Sequence, residues 1–200
     1  MRRLVSIAVL GLTSACGTYS LVRPAETMRA GKVELAAGLA ASQLGEVNTI
    51  LHAAVAITDD LELDAQNEFL NSFVEARYGI LHNAPDGLAL AVGLGAGRAI
   101  TLVSAVGDEL DGDTADAGFA GVATVSVGKR WGAVDLTIGN RTFVQSGNFF
   151  MSSTRLAARF AIGAHFGLMA EAGGTVHAPI KEPDLALFIG EGSVGFWTGF

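Results

Sequence analysis

The sequence predicts an all-β fold, a single antiparallel up-and-down β-barrel of about ten strands. Apolar and polar residues alternate with a period of two along most of the chain after residue 31, as strands do and helices do not. The 26 glycines also favour strands, because glycine inside a helix is costly. Half of the residues are hydrophobic and 16% are charged, yet beyond residue 15 no apolar run reaches the roughly 18 residues of a membrane-spanning helix.

The last ten residues, Glu191 to Phe200, show the alternation most clearly. One face carries Val194, Phe196, Thr198 and Phe200, and the other carries Ser193, Gly195, Trp197 and Gly199. This stretch resembles the closing strand of bacterial outer-membrane β-barrels, in which a terminal phenylalanine and alternating apolar residues are read by the insertion machinery. The resemblance implies the barrel-insertion machinery as a partner. A hydrophobic strand without that role is the alternative.

The first segment predicts export from the cytoplasm. Residues 1–15 have a basic start, an apolar middle and small residues before Cys16, the only cysteine, as signal peptides do. The segment resembles the lipobox of bacterial lipoproteins, which implies a lipid on Cys16, although Thr13 stands where that family usually has leucine. An ordinary signal peptide cut nearby is the alternative. Residues 16–31 are predicted as a tether, and residues 32–200 as the barrel.

Connections of unequal length join the predicted strands. The strands are expected at 32–42, 48–57, 61–66, 73–81, 88–97, 119–130, 133–143, 153–163, 168–175 and 191–200. The fifth connection is long, the seventh (145–152) and ninth (177–184) are moderate, and the even-numbered ones are short. Outer-membrane barrels have short periplasmic turns, longer extracellular loops and an even number of strands. The resemblance therefore implies an integral outer-membrane protein with a periplasmic N-terminus.

Alternation separates two faces of the barrel but does not say which one is inside. A lipocalin-like soluble barrel has its apolar face inward, and a membrane barrel has it outward. We expect the membrane arrangement, because charges interleaved with many Gly and Ala residues suit a narrow lumen in which they pair. The predicted lumen charge network consists of Glu34, Glu62, Asp64, Glu75, Arg77, Asp135, Arg141, Arg155, Arg159, Glu171 and Glu191.

Aromatic residues gather near the ends of the predicted strands. Two such girdles are expected where a barrel crosses the two membrane interfaces. Near the short turns lie Trp131, Phe166 and Phe200, and near the longer loops lie Phe119, Phe143, Phe149, Phe150 and Phe188.

No motif in the sequence predicts an enzyme. HExxH, GxSxG and paired cysteines are absent from the sequence, and the four histidines have no ligand-like spacing. The Asp-x-His of ten-stranded outer-membrane proteases and the His-x-Ser of lipid A deacylases are also missing from it. The acidic stretch 107–116 offers calcium ligands or is a solvated loop. Its candidate ligands are Asp108, Asp111, Asp113 and Asp116.

These observations predict a small outer-membrane barrel, lipid-anchored at Cys16, with a structural or surface-interaction role and a largely plugged lumen. Its expected surroundings are outer-membrane lipid and lipopolysaccharide, with no cofactor beyond the lipid on Cys16. The net charge of −7 argues against nucleic acid. Two alternatives stay open: a narrow, porin-like passive channel, and a soluble lipid-anchored periplasmic barrel that binds an apolar ligand.

Overall fold

A computed structural model describes residues 23–45, 47–68, 71–82, 87–99, 118–145, 149–180 and 186–200. The predicted signal peptide, Cys16 and the acidic stretch 107–116 lie outside these ranges. Within them, no helix is long and apolar enough to cross a membrane.

Ten antiparallel strands form one closed sheet, in which each strand pairs with its neighbours along the chain and the first pairs with the last. The predicted up-and-down barrel is therefore confirmed. The strands are β1 (Val33–Ser42), β2 (Val47–Ala56), β3 (Leu61–Glu68), β4 (Asn71–Leu81), β5 (Ala89–Ala99), β6 (Gly118–Trp131), β7 (Val134–Gln145), β8 (Phe149–Ala161), β9 (Phe166–Pro179) and β10 (Leu187–Gly199).

Several strands are longer than the sequence predicts. β8 begins at Phe149, inside the predicted loop 145–152, and β9 continues to Pro179, inside the predicted loop 177–184. The reason is mutual pairing, because Phe149 lies opposite Pro179 and the ladder continues unbroken from there to Ala161 and Gly167. The seventh connection is thus shorter than expected, and the fifth remains the longest.

The two faces of the sheet differ in the way expected for a membrane barrel. Along β7, Asp135 and Arg141 are buried in the lumen, whereas Leu136 and Ile138 are exposed on the outer wall. The same alternation holds along β2, β3 and β4. A soluble barrel with an apolar interior requires the opposite arrangement, so the lipocalin-like alternative is wrong for this wall.

The barrel closes at a seam between β1 and β10. Val33 and Phe200 exchange two backbone hydrogen bonds, N–H to O, of 3.2 and 2.9 Å. Further along the seam, Gly38 lies opposite Gly195, and a Cβ on Gly38 would stand only 2.6 Å from the carbonyl oxygen of Val194. A side chain there would push the two strands apart.

Candidate functional site

Residues 23–31, the described part of the predicted tether, lie at the end of the barrel where the turns 57–60 and 132–133 lie. Residues 23–28 are buried or half-buried there, and residues 29–31 are exposed and lead into β1. Arg23 and Ala25 are almost fully buried. The backbone N–H of Ala25 donates to Oγ1 of Thr137 on β7 (3.1 Å), and the carbonyl of Pro24 accepts from Arg77 on β4 (2.8 Å). We call residues 23–31 the plug segment, because its buried first part contacts β4 and β7 inside the lumen.

Arg23 is the centre of the contacts that hold the plug segment. Its guanidinium meets Oε1 of Glu34 at 2.8 Å, a carboxylate oxygen of Glu62, and Oδ2 of Asp64 at 3.6 Å. Burial alone would lower the pKa of Arg23, but these three carboxylates more than offset it and raise that pKa above its ordinary value. The side chain therefore stays charged inside the barrel.

Two further arginines extend this arrangement into a connected chain of ion pairs. Arg77 Nη1 lies 2.9 Å from Oε2 of Glu62, and Arg159 Nη2 lies 2.8 Å from Oε2 of Glu34. Glu62 and Glu34 are thus each shared by Arg23 and one strand arginine. We call these five residues the basal network. Such sharing compensates the cost of taking charges out of water, which an isolated pair does less well.

A cluster of apolar side chains from β4, β6, β7 and β8 lies in the lumen beyond the basal network. The rings of Phe73 and Phe143 meet edge to face with centroids 5.5 Å apart, and the guanidinium of Arg141 lies 4.6 Å from the centre of the Phe73 ring. Both rings are buried. The cluster, which we call the aromatic layer, consists of Phe73, Ala120, Val122, Phe143 and Met151.

Phe143 corrects one sequence assignment. It was predicted to stand in an outer aromatic girdle because it lies near a strand end. In the structure its side chain is in the lumen, since along β7 it alternates in phase with Arg141. Exposed on the wall, as a girdle requires, are Trp131, Phe166, Phe200, Phe119 and Phe188. Phe150 is half-buried, and the side chain of Phe149 lies outside the described part.

The predicted lumen charges are all buried, and the structure divides them into groups. Besides the basal network, Arg155 pairs with Glu191, which also accepts a 2.6 Å hydrogen bond from Thr175. The other members have these partners: Asp64 with Arg23, Glu75 with Thr124 and Arg141, Asp135 with Thr137 and Arg130, and Glu171 with Ser193. The network is therefore a set of local clusters along the lumen.

Sequence reasoning missed Arg23 and Glu68 as lumen residues. Glu68 is fully buried and alternates in phase with Glu62, but the predicted third strand ended at residue 66. A signal for Arg23 was present, because acidic side chains outnumber arginines in the predicted network. An excess of buried carboxylates calls for another cation.

A polar cluster on the outer wall satisfies its own hydrogen bonds. The side-chain amide of Asn140 donates to the hydroxyls of Ser152 (2.8 Å) and Thr154 (2.9 Å), and its carbonyl oxygen accepts from Thr142 (3.0 Å). These residues share the outward face of β7 and β8 with apolar neighbours. Polar groups without partners are costly in hydrocarbon, so mutual bonding makes the cluster compatible with a lipid surface.

We expect Asn140→Val to lower the free energy of unfolding by about 1–2 kcal/mol, because hydroxyls of Ser152 and Thr154 lose a partner. Urea unfolding in detergent micelles measures the change. The quadruple variant that also carries Thr142→Val, Ser152→Ala and Thr154→Val is expected to recover most of the loss, since the bonded polar groups are removed together. A quadruple variant less stable than the single one would contradict this explanation.

A histidine–aspartate pair lies outside the lumen. Nε2 of His82 is 2.6 Å from Oδ1 of Asp60, and both side chains are about half exposed. Pairs so accessible to solvent contribute little to stability. Within the described ranges, no group of three or more His, Cys, Asp and Glu residues could hold a metal ion.

The sequence matches no family model and no curated protein. Among solved structures, it is similar to a loop L8 deletion mutant of OmpT, an outer membrane protein of Vibrio cholerae (8% identity, TM-score 0.30, 84% of this chain and 98% of that one). It is also similar to Neisserial surface protein A (13% identity, TM-score 0.22, 84% and 95%).

Proposed function

We propose that this chain is an integral β-barrel of the bacterial outer membrane with a closed lumen and a non-enzymatic, structural or surface-interaction role. One observation carries the proposal: large hydrophobic side chains stand exposed around the wall, while every acidic residue of the described strands is buried inside. In water such a wall would be strongly unfavourable. In a bilayer it is the expected surface of a barrel whose strands, 8 to 14 residues long, are sufficient to cross it.

The lengths of the connections support one orientation. The long connection 100–117 would face outward, and the end that holds the plug segment would face the periplasm. A lipid on Cys16, seven residues before Arg23 in the sequence, would then anchor in the periplasmic leaflet. β10 would present the closing-strand pattern to the insertion machinery.

The contents of the lumen support a closed barrel over a channel. The basal network binds the plug segment through charged hydrogen bonds, and the aromatic layer places five buried apolar side chains inside the lumen. A ten-stranded barrel leaves little free width once such side chains are in place. We therefore rank a passive channel second.

Fractionation of a Cys16→Ser variant tests membrane integration. We expect this variant to stay with the membrane and partition into detergent, and to migrate faster on gels before boiling than after it, because the folded barrel is compact. The wild-type chain is the matched control. Release of the Cys16→Ser variant into buffer would show that only the lipid held the protein, and would overturn the proposal.

Planar-bilayer recording tests the closed lumen. We expect the purified wild-type barrel to produce no stable conductance steps, because Arg23, the plug segment and the aromatic layer obstruct the path. Steady, reproducible steps from protein that also shows heat-modifiable migration would favour the channel instead.

A further inference from the structure

A shallow groove of about 810 Å³ crosses the outer wall from β10 to β5. Its floor is made of small side chains, among them Ala37, Ala53, Ala65 and Ala96, which face outward on neighbouring strands. A second groove of about 650 Å³ lies beside it and shares the last three of these alanines. We call the two together the wall groove. Because its floor is apolar and open to the surroundings, it offers room for hydrocarbon chains.

The wall groove is inclined across the barrel. Leu35, Ala53, Ala65, Val74 and Ala96 lie side by side in register from β1 to β5. Five steps from β10 to β5, at about 4.8 Å each, give a length of about 24 Å. Because strands of such barrels tilt by about 40°, this row covers roughly 15 Å of membrane depth, which is about one leaflet.

A polar and cationic end completes the groove. Ser72 lies opposite Arg98 in the β4–β5 ladder. The side-chain amide of Asn67 donates a 2.7 Å hydrogen bond to the hydroxyl of Ser72. All three side chains are exposed on the outward face, at the end of the barrel from which the long connection 100–117 leaves β5. Among the strand residues that the structure describes, Arg98 and Lys129 are the only charged ones with outward phase, and none is acidic. Lys129 lies at the opposite end, where its Nζ is 5.6 Å from the centre of the Trp131 ring.

We propose that the wall groove binds acyl chains of a phosphorylated lipid of the outer leaflet, the lipid A part of lipopolysaccharide, and that Arg98 with Ser72 takes its phosphate. The inference rests on the proposed membrane function and on its orientation, which places Arg98 at the outer interface. Two adjoining grooves suit a lipid with several chains. An arginine beside a hydroxyl supplies charge-assisted hydrogen bonds to phosphate oxygens.

Charge argues against a second copy of the chain in the same place. In a symmetric pair both copies would present the same surface, so Arg98 of each would meet a wall on which no described strand residue carries a negative charge. An anionic lipid gives Arg98 the partner that another wall does not.

Binding of purified bisphosphorylated lipid A to the barrel in detergent micelles tests the inference, with dephosphorylated lipid A as the second probe. We expect Arg98→Gln to weaken binding of the bisphosphorylated form about fivefold, which is roughly what one cation near anionic lipid contributes. Ala65→Phe, which fills the groove, is expected to weaken binding of both forms. The matched controls Lys129→Gln and Ala170→Phe, on other parts of the wall, should bind as the wild type does.

Two results would overturn this inference while leaving the proposed function standing. One is a heat-modifiable, membrane-integral wild type that binds both forms of lipid A equally. The other is a dimer in light scattering that Ala65→Phe abolishes, because the groove would then hold a second copy. A wild-type chain that does not integrate into membranes would instead overturn the proposed function, and this inference with it.

Discussion

Glu62→Gln is expected to lower the free energy of unfolding by about 3–5 kcal/mol, the usual cost of removing one partner from a buried ion pair. Glu62 is fully buried and its carboxylate serves Arg23, Arg77 and the backbone N–H of Met28 at once. Glutamine keeps the shape of the side chain but removes the charge. The buried guanidinium groups of Arg23 and Arg77 would then each lose one carboxylate partner.

Urea unfolding of the refolded barrel in micelles, followed by tryptophan fluorescence, measures this effect. The matched control is Glu26→Gln, because Glu26 lies in the same plug segment but pairs with the exposed Arg130 at 3.8 Å. Its removal should cost at most about 1 kcal/mol. Equal losses for the two variants would contradict the basal network as a principal source of stability.

Phe143→Ala is expected to cost about 3–5 kcal/mol, because it removes a buried ring from the aromatic layer and leaves a cavity. The edge-to-face contact with Phe73 is lost as well. The lumen around this ring is bounded by a hydrogen-bonded sheet, so the walls have little freedom to collapse into the space.

Phe119→Ala provides the matched control for Phe143→Ala. Phe119 lies near the same end of the barrel, on the neighbouring strand β6, but its side chain is 68% exposed on the wall. Its truncation leaves no cavity inside the barrel, and the change in unfolding free energy should be well below that of Phe143→Ala. If the two variants lost the same stability, Phe143 would not be an interior residue.

Period-two alternation predicts the wall well because each strand residue must face either the lumen or the outside of the barrel. It is sufficient to assign Arg77, Asp135 and Arg159 to the interior, where the structure has them. Phe143 was misassigned because its position near a strand end was weighed above its phase. The same phase that places Arg141 inside places Phe143 inside.

The plug segment has no comparable local signal. Residues 23–31 do not alternate, and their position depends on contacts with strands far away in sequence, such as the bond from Ala25 to Thr137. The ends of β8 and β9 were missed for a related reason, because pairing between the two strands extends them into stretches that the sequence predicts as loops. Long-range contacts of this kind leave only indirect traces in a sequence, such as the surplus of acidic side chains.

The hydrogen bonds between Val33 and Phe200 have a consequence for how the molecule is made. The seam joins parts of the chain that are about as distant in sequence as the barrel allows, so it is a slow contact to form by chance. Until it forms, β1 and β10 each expose a row of unpaired backbone groups, which invite pairing with other chains. The chain is therefore open to pairing errors at both edges until this contact closes the barrel.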